Sequence, residues 1–391
     1  MEDRTRAYLR GRFRDYYRRS PLSLPPDSGS REWGYVPWTT GPETTMVRHR
    51  SQLDLGDIET FLARERPRHV YYSAGYYDDP GAQTMAEKGW RGSDLIFDID
   101  ADHLPDVDPA ETTYEAMLAA GKDSLRRLLD ILRRDFGFED LELAFSGGRG
   151  YHVHVRDESI QGLEREARRE IVEYVRGHGV DLESLLEGEA VGGHGRKTPT
   201  TRRTLPTDGG WGRRAVDRID SFVDDLLAMG DEEALERLER FERIGEKNAR
   251  AVKNVVEGNT EQVRSGNVDV HPAFLPVARQ LVQETVEAEA AYIDEPVTTD
   301  THRLIRLPGS LHGGTGLMVT PLDPDDVAGF DPLADAVPET FRGHDIAVEV
   351  ESETRIAFDG EPRIVSPGRK VLPEYAGIFL MARGEAEKAR E

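Results

Sequence analysis

The sequence contains no cysteine, which excludes disulfides, thiolate nucleophiles, iron–sulfur ligation by this chain and zinc sites built on sulfur. Lysine is almost as scarce: of 51 basic residues, seven are lysines (Lys88, Lys122, Lys197, Lys247, Lys253, Lys370 and Lys388) and 44 are arginines. Long hydrophobic runs are missing too. The longest near the end, Tyr375 to Ala382, is far too short to span a bilayer, and the start, Met1-Glu-Asp-Arg-Thr-Arg-Ala-Tyr-Leu-Arg, offers no apolar core for a signal sequence. The expectation is a cytoplasmic protein with no membrane partner. What is abundant is negative charge, with 74 acidic residues among 391 and a net charge of −23. At 37% hydrophobic and 32% charged, the chain has enough apolar material for two or three domains. An ordinary acidic protein explains the charge but not the missing lysine; an acidic, lysine-poor surface suits work in concentrated salt.

Arg4 to Arg19 holds seven arginines among Tyr8, Phe13, Tyr16 and Tyr17 and reads as an amphipathic helix ending before Pro21, followed by a loop to Ser30. Arg68 to Ala74, Asp94 to Asp100, Glu142 to Phe145 and Tyr151 to Val155 read as strands, being short, β-branched or aromatic and bounded by turn formers. Leu125, Leu128, Leu129 and Leu132 recur at helical spacing. From about Asp217 to Ile293 the pattern is helical, and strand character returns at Leu304 to Leu307 and Ile346 to Val350, with a last helix over the C-terminus. The expected fold class is α+β (α/β-type), with mixed sheets flanked by helices and an inserted all-helical subdomain. The expected domains are residues 1–210, a helical block at 211–290, and a return to the first domain at 291–391. Pro321 to Pro362 carries 12 acidic residues against two basic ones, a solvated, repulsive surface, whereas Gly195 to Arg214 reads as a loop with a basic face.

Three segments carry chemistry. In Asp94-Leu-Ile-Phe-Asp98-Ile-Asp100, strand alternation puts Asp98 and Asp100 on one face and Leu95, Phe97 and Ile99 on the other. A strand tolerates adjacent like charges mainly when a cation sits between them, and oxygen ligands point to magnesium or manganese (Mg2+ or Mn2+). An isolated Asp-x-Asp in so acidic a chain is more often a strand end facing water. The second segment is Ser146-Gly-Gly-Arg149-Gly-Tyr-His152-Val-His154. There a glycine turn lets backbone N–H groups approach an anion, Ser146 can donate a hydrogen bond, and Arg149 can grip phosphate with its planar fork. The third, Asp294 to Gly316, crowds acids, arginines and histidines. Its residue chemistry leaves Asp294 and Asp300 open as a third metal ligand, although Asp300 also suits a helix cap.

Taken in order, these segments resemble the small, catalytic subunit of the archaeal and eukaryotic type of DNA primase. The resemblance extends over nearly the full length. It includes Met46-Val-Arg-His, Pro67-Arg-His-Val-Tyr-Tyr-Ser-Ala, Glu87-Lys-Gly-Trp and the closing Pro373-Glu-Tyr-Ala-Gly-Ile-Phe. It implies a primase catalytic domain, with metal aspartates at Asp98, Asp100 and Asp294 and nucleotide contacts at Ser146, Arg149, His152, Arg306 and His312. Some relatives carry a second basic residue where this chain has Gly148. The family also usually carries a Cys/His zinc knob before the glycine turn. Here His103 to Phe145 has one histidine and no cysteine, which argues against a structural zinc.

The activity implied is de novo primer synthesis on single-stranded DNA template from nucleoside triphosphates, by two-metal nucleotidyl transfer, in partnership with a large primase subunit. Two other readings predict different behaviour. An end-joining polymerase of the same superfamily extends ends rather than initiating. A single-strand binding module needs basic grooves with interleaved aromatics, which Arg4 to Arg19 only partly resembles, and leaves the three acids without purpose. Gly195 to Arg214 is the candidate for template contact.

Overall fold

The computed structural model describes residues 1–20, 22–39, 45–191 and 200–390. The chain divides into two units, one holding Met1–Arg126, Phe138–Val172 and Tyr292–Glu391, the other Arg127–Gly137 and Glu173–Ala291.

Two antiparallel sheets organise the first unit. One runs in the order Leu304–Arg306, His69–Tyr77, Arg31–Val36, Val47–Arg50, with Trp90–Ser93 also pairing on His69–Tyr77. The other runs Thr320–Leu322, Leu141–Phe145, Gly150–Val155, Leu95–Asp100. The strands form where the sequence pattern places them because their apolar residues have somewhere to go: Leu95, Phe97, Ile99, Leu143, Tyr151 and Val153 are all fully buried. Leu95–Asp100 stands at the edge of its sheet. Helix Asp3–Tyr17 buries Leu9, Phe13, Tyr16 and Tyr17. The final helix, Glu374–Arg383, does not close the chain: Gly384, at φ +79°, ends it in the left-handed region, and Ala386–Lys388 adds a strand to Asp345–Val350.

The second unit packs Gly210–Ala228, Asp231–Glu239, Glu246–Gly258 and Leu275–Glu289 around Ile219, Phe222, Val252, Phe274 and Leu281. It takes in residues 127–137 and 173–210 besides the helical block read from the sequence at 211–290. Leu182 and Leu205 belong to its apolar core, and Thr204, at the end of the strand pair Glu187–Val191 and Thr200–Thr204, bridges to Asn267. The loop expected from Gly195 to Arg214 is, in its described part, a strand at Thr200–Thr204 and the start of a helix at Gly210. Arg196 and Lys197 lie outside the described residues, Arg203 pairs with Asp269 at 2.7 Å, and Gly210 opens a helix. Arg214, only 3% exposed, binds Asp130, Asp135 and Glu289, so its charge serves packing rather than a template.

Candidate active site

Asp98 and Asp100 emerge from a strand whose other side chains are buried. In the antiparallel register Asp98 lies opposite His152 and Asp100 opposite Gly150. His152 Nε2 is 3.5 Å from Asp98 Oδ1, while its Nδ1 is buried with no hydrogen-bond partner among the described residues. Burial and the nearby Arg306, His154 and Arg303 hold the His152 imidazole well below its usual pKa, so it is neutral and offers Asp98 no countercharge.

The free edge of this strand receives Asp294. Its backbone N–H donates to the Asp98 carbonyl at 2.8 Å, and Asp294 then starts the short helix Glu295–Thr299 without its side chain capping it. Asp300 accepts a hydrogen bond from the His302 N–H at 2.9 Å, so its side chain closes a turn, with no helix over Thr301 to Leu304. The question that residue chemistry left open thus has a structural difference attached: one acid has a local duty and the other has none.

The glycine turn is built differently from an open cradle. Ser146 Oγ accepts hydrogen bonds from the N–H groups of Gly148 at 3.3 Å and Gly150 at 3.2 Å, so two of the amides expected to face an anion are turned inward. Ser146 itself is 4% exposed. Gly147 sits at φ +75°, and a Cβ there would lie 2.6 Å from His312 Cβ. Arg149 projects from the turn and pairs with Asp102.

His312 packs over this turn. Thr315 Oγ1 donates to the Gly147 carbonyl at 2.5 Å, so it accepts from His312 Nδ1 at 3.1 Å. That network assigns the proton to Nδ1 and leaves Nε2 a bare acceptor. The His69 ring lies 4.8 Å away, edge to face. Burial, with Arg306, His69, Arg68 and Arg149 around it, depresses the His312 pKa well below its usual value.

A cleft of about 490 Å³ collects Asp98, Asp100, Asp294, His152 and Arg306, together with Met46, Arg48, Tyr71, His103, Asp300, His302, Arg303, Leu304 and Ile305. Arg306 pairs in register with Tyr71, its guanidinium 5.8 Å from that ring and its Nε buried with no hydrogen-bond partner among the described residues. Ser146, Arg149 and His312 are not part of this lining; they stand at the glycine turn. Burial pushes Asp98 up to about 6, the Asp294 charge adding to the effect and Arg306 opposing it. Asp100 is raised by burial and by the adjoining Asp102 and Asp98.

A family model described as the DNA primase small subunit matches residues 97–324. The chain is 62% identical to the DNA primase small subunit PriS of Halobacterium salinarum and 59% identical to that of Haloarcula marismortui, over the full length of both chains in each case. It is 42% identical to that of Methanothrix thermoacetophila, covering 99% of this chain and all of the relative. The chain belongs to the DNA primase small subunit family.

This primase subunit comes from a salt-adapted archaeon, as its relatives and its lysine-poor acidic composition agree. Its cleft fits a hard divalent cation. The donors are carboxylate oxygens, Asp98 and Asp100 are destabilised as anions when nothing neutralises them, and Asp102 Oδ1 is buried with no N–H donor among the described residues. Oxygens of Asp100 and Asp102 and a ring nitrogen of His103 lie within 4.8 Å of one another. Sequence reasoning passed over Asp102, His103, Arg48, Tyr71 and Arg303 as site residues. All lie in or beside segments that carried the resemblance, but spacing does not say which side chains turn into a cleft formed by two sheets. It also missed a buried anchor behind the site. Asp94, fully buried, holds Arg31 at 2.9 Å and Arg156 at 3.2 Å, and accepts from Tyr76 Oη at 2.5 Å.

Among the described residues no helix is long and apolar enough to cross a membrane.

Proposed function

We propose that this protein is the catalytic subunit of a DNA primase that synthesises short primers de novo on a single-stranded DNA template from nucleoside triphosphates, as a DNA-directed RNA polymerase. A large primase subunit would be its partner and the cytoplasm its location. The observation that carries the reading is the meeting of Asp98, Asp100 and Asp294 in one cleft with Arg306 and His152.

Asp98, Asp100 and Asp294 would hold Mg2+ or Mn2+, which supplies charge that lowers the pKa of the attacking 3′-hydroxyl and stabilises the α-phosphate. Arg306 brings the central positive charge of the cleft, felt by Asp98, His152 and His312 alike, and suits the β- and γ-phosphates. His312 would take up a proton from solvent at Nε2 as phosphate charge approaches, and so become a donor. Arg149 adds a second guanidinium from the turn. Ser146 acts by fixing the turn, its hydroxyl oxygen accepting from the Gly148 and Gly150 amides. None of these residues forms a covalent intermediate; they position two nucleotides so that pyrophosphate leaves in line.

The test is synthesis on unprimed single-stranded DNA, with ribonucleotides and with deoxyribonucleotides, with and without the large subunit. Primers made without a pre-existing 3′ end support the reading. Extension of annealed ends with no initiation under any of these conditions would place the protein with end-joining polymerases, and template binding with no cation-dependent incorporation would make it a binding module.

A further inference from the structure

Arg149, the phosphate-gripping candidate of the glycine turn, is already engaged. Its Nη2 contacts Asp102 Oδ2, with the guanidinium 38% exposed and the carboxylate 17% exposed. Asp102 lies in the short 3-10 turn Ala101–His103 that follows the aspartate strand, and the two backbones meet where the Ala101 N–H donates to the Arg149 carbonyl at 3.3 Å. The second oxygen of Asp102, Oδ1, is buried with no N–H donor among the described residues, and the Asp102 and Asp100 carboxylates interact side chain to side chain. The Asp100 carboxylate and the His103 ring are its neighbours within 4.8 Å. Asp102 therefore stands between the guanidinium it holds, Arg149, and the Asp100 carboxylate.

A carboxylate paired with a guanidinium competes with any phosphate for the same N–H donors. A divalent ion beside Asp102 removes that competition by neutralising the carboxylate. We propose that Asp102 is a positioning residue that restrains Arg149, and that a divalent cation held by Asp100 and Asp102 releases Arg149 to the triphosphate. Cation and nucleotide binding are then coupled, each strengthening the other by the same factor. The proposal rests on the reading of Arg149 as a phosphate ligand.

The experiment is equilibrium binding of ATP to the full chain by calorimetry, in EDTA and in magnesium, for the wild type, Asp102→Asn, Arg149→Ala and the double variant. In EDTA, Asp102→Asn is expected to bind ATP about 5-fold or more tighter than the wild type, and its gain from magnesium to shrink by a like factor. In the Arg149→Ala background the same substitution should change nothing, because its effect passes through Arg149. Asp102→Glu, which keeps the charge, should retain the weak cation-free binding, and Asp102→Ser replaces Asn if that variant fails to fold. Unchanged affinity in Asp102→Asn, or an equal gain with and without Arg149, overturns the coupling and leaves at most a general charge effect. If Arg149→Ala leaves ATP affinity intact in magnesium, the phosphate reading of Arg149 fails first and the coupling with it.

Discussion

The backbone amide of Asp294 donates to the carbonyl of Asp98 across 2.8 Å. Among the described residues Leu95–Asp100 is an edge strand, paired only with Gly150–Val155, and its outer carbonyls need donors. By supplying one, residue 294 is anchored beside the metal-type aspartates although 196 positions separate it from residue 98. The Asp294 side chain, excused from capping the helix it starts, is left for the cleft.

That anchoring separates the two acids of the segment. Asp294→Ala is expected to lower primer synthesis by about 10²-fold or more, with the thermal unfolding midpoint little changed. Asp300→Ala, losing a turn contact to His302, should keep most activity. A gel assay of primer yield at saturating nucleotide decides it; the reverse ranking would reject Asp294 as the third ligand.

The proton on His312 gives a signature in binding. Without ligand the imidazole is neutral at pH 7, because burial and surrounding cations hold its pKa well below the usual 6.5. Triphosphate charge favours the imidazolium, so ATP binding should take up a proton at Nε2 and tighten as pH falls from 8 to 6. Calorimetry in buffers of different ionisation enthalpy measures the uptake. His312→Gln should reduce it, and equal uptake in that variant would count against the assignment.

Gly150 faces the backbone of the aspartate strand, and a Cβ on it would fall 2.0 Å from the Ile99 carbonyl oxygen. Gly150→Ala must therefore push apart the register that sets Asp100 opposite it. A loss of about 2 kcal/mol or more is expected, read from urea unfolding in molar salt, together with a fall in activity. An alanine variant as stable as the wild type would show that the two strands do not meet this closely.

Asp94 ties the ionic anchor behind the cleft. Burial alone would raise its carboxyl, but His154, Arg31 and Arg156 overcome that and hold it well below its ordinary 3.8. A depressed carboxyl contributes stability that is present above 3.8 and lost as pH falls toward its folded value. Asp94→Asn should cost about 3–5 kcal/mol at pH 7 by leaving buried guanidiniums unpaired. The gap between variant and wild type should narrow below pH 4, as measured by denaturant unfolding across that range. A gap independent of pH would mean that Asp94 acts by shape rather than charge.

The pairing of Asp98 with Asp100 was legible because strand alternation is a local rule: residues two apart share a face whatever the surroundings. The helical block was legible for the same reason, since periodicity reports a buried stripe. Asp294 was preferred to Asp300 only through resemblance, because no local rule distinguishes the two. Ser146 shows what position along the chain leaves out. Its position suggested a hydroxyl offered to phosphate, and the turn instead folds two amides onto it. The basic face expected over Gly195 to Arg214 failed at Arg214, since charge counted along a sequence ignores the carboxylates that folding brings against it.

The sequence by itself determined the medium and the chemistry. An acidic chain without cysteine and nearly without lysine rules out thiol chemistry and suits concentrated salt, where a Debye length of about 3 Å at 1 M screens its net repulsion. Its aspartates in alternation offer a carboxylate pair of the kind that suits oxygen-loving cations. Only the tertiary structure decided which charges face which. Arg149 meets Asp102, His312 covers the glycine turn, and Asp294 hangs on the edge of the aspartate strand. Each of these depends on pairing between segments far apart in the chain, and a carboxylate or guanidinium takes its role from the partner and the dielectric that the fold supplies.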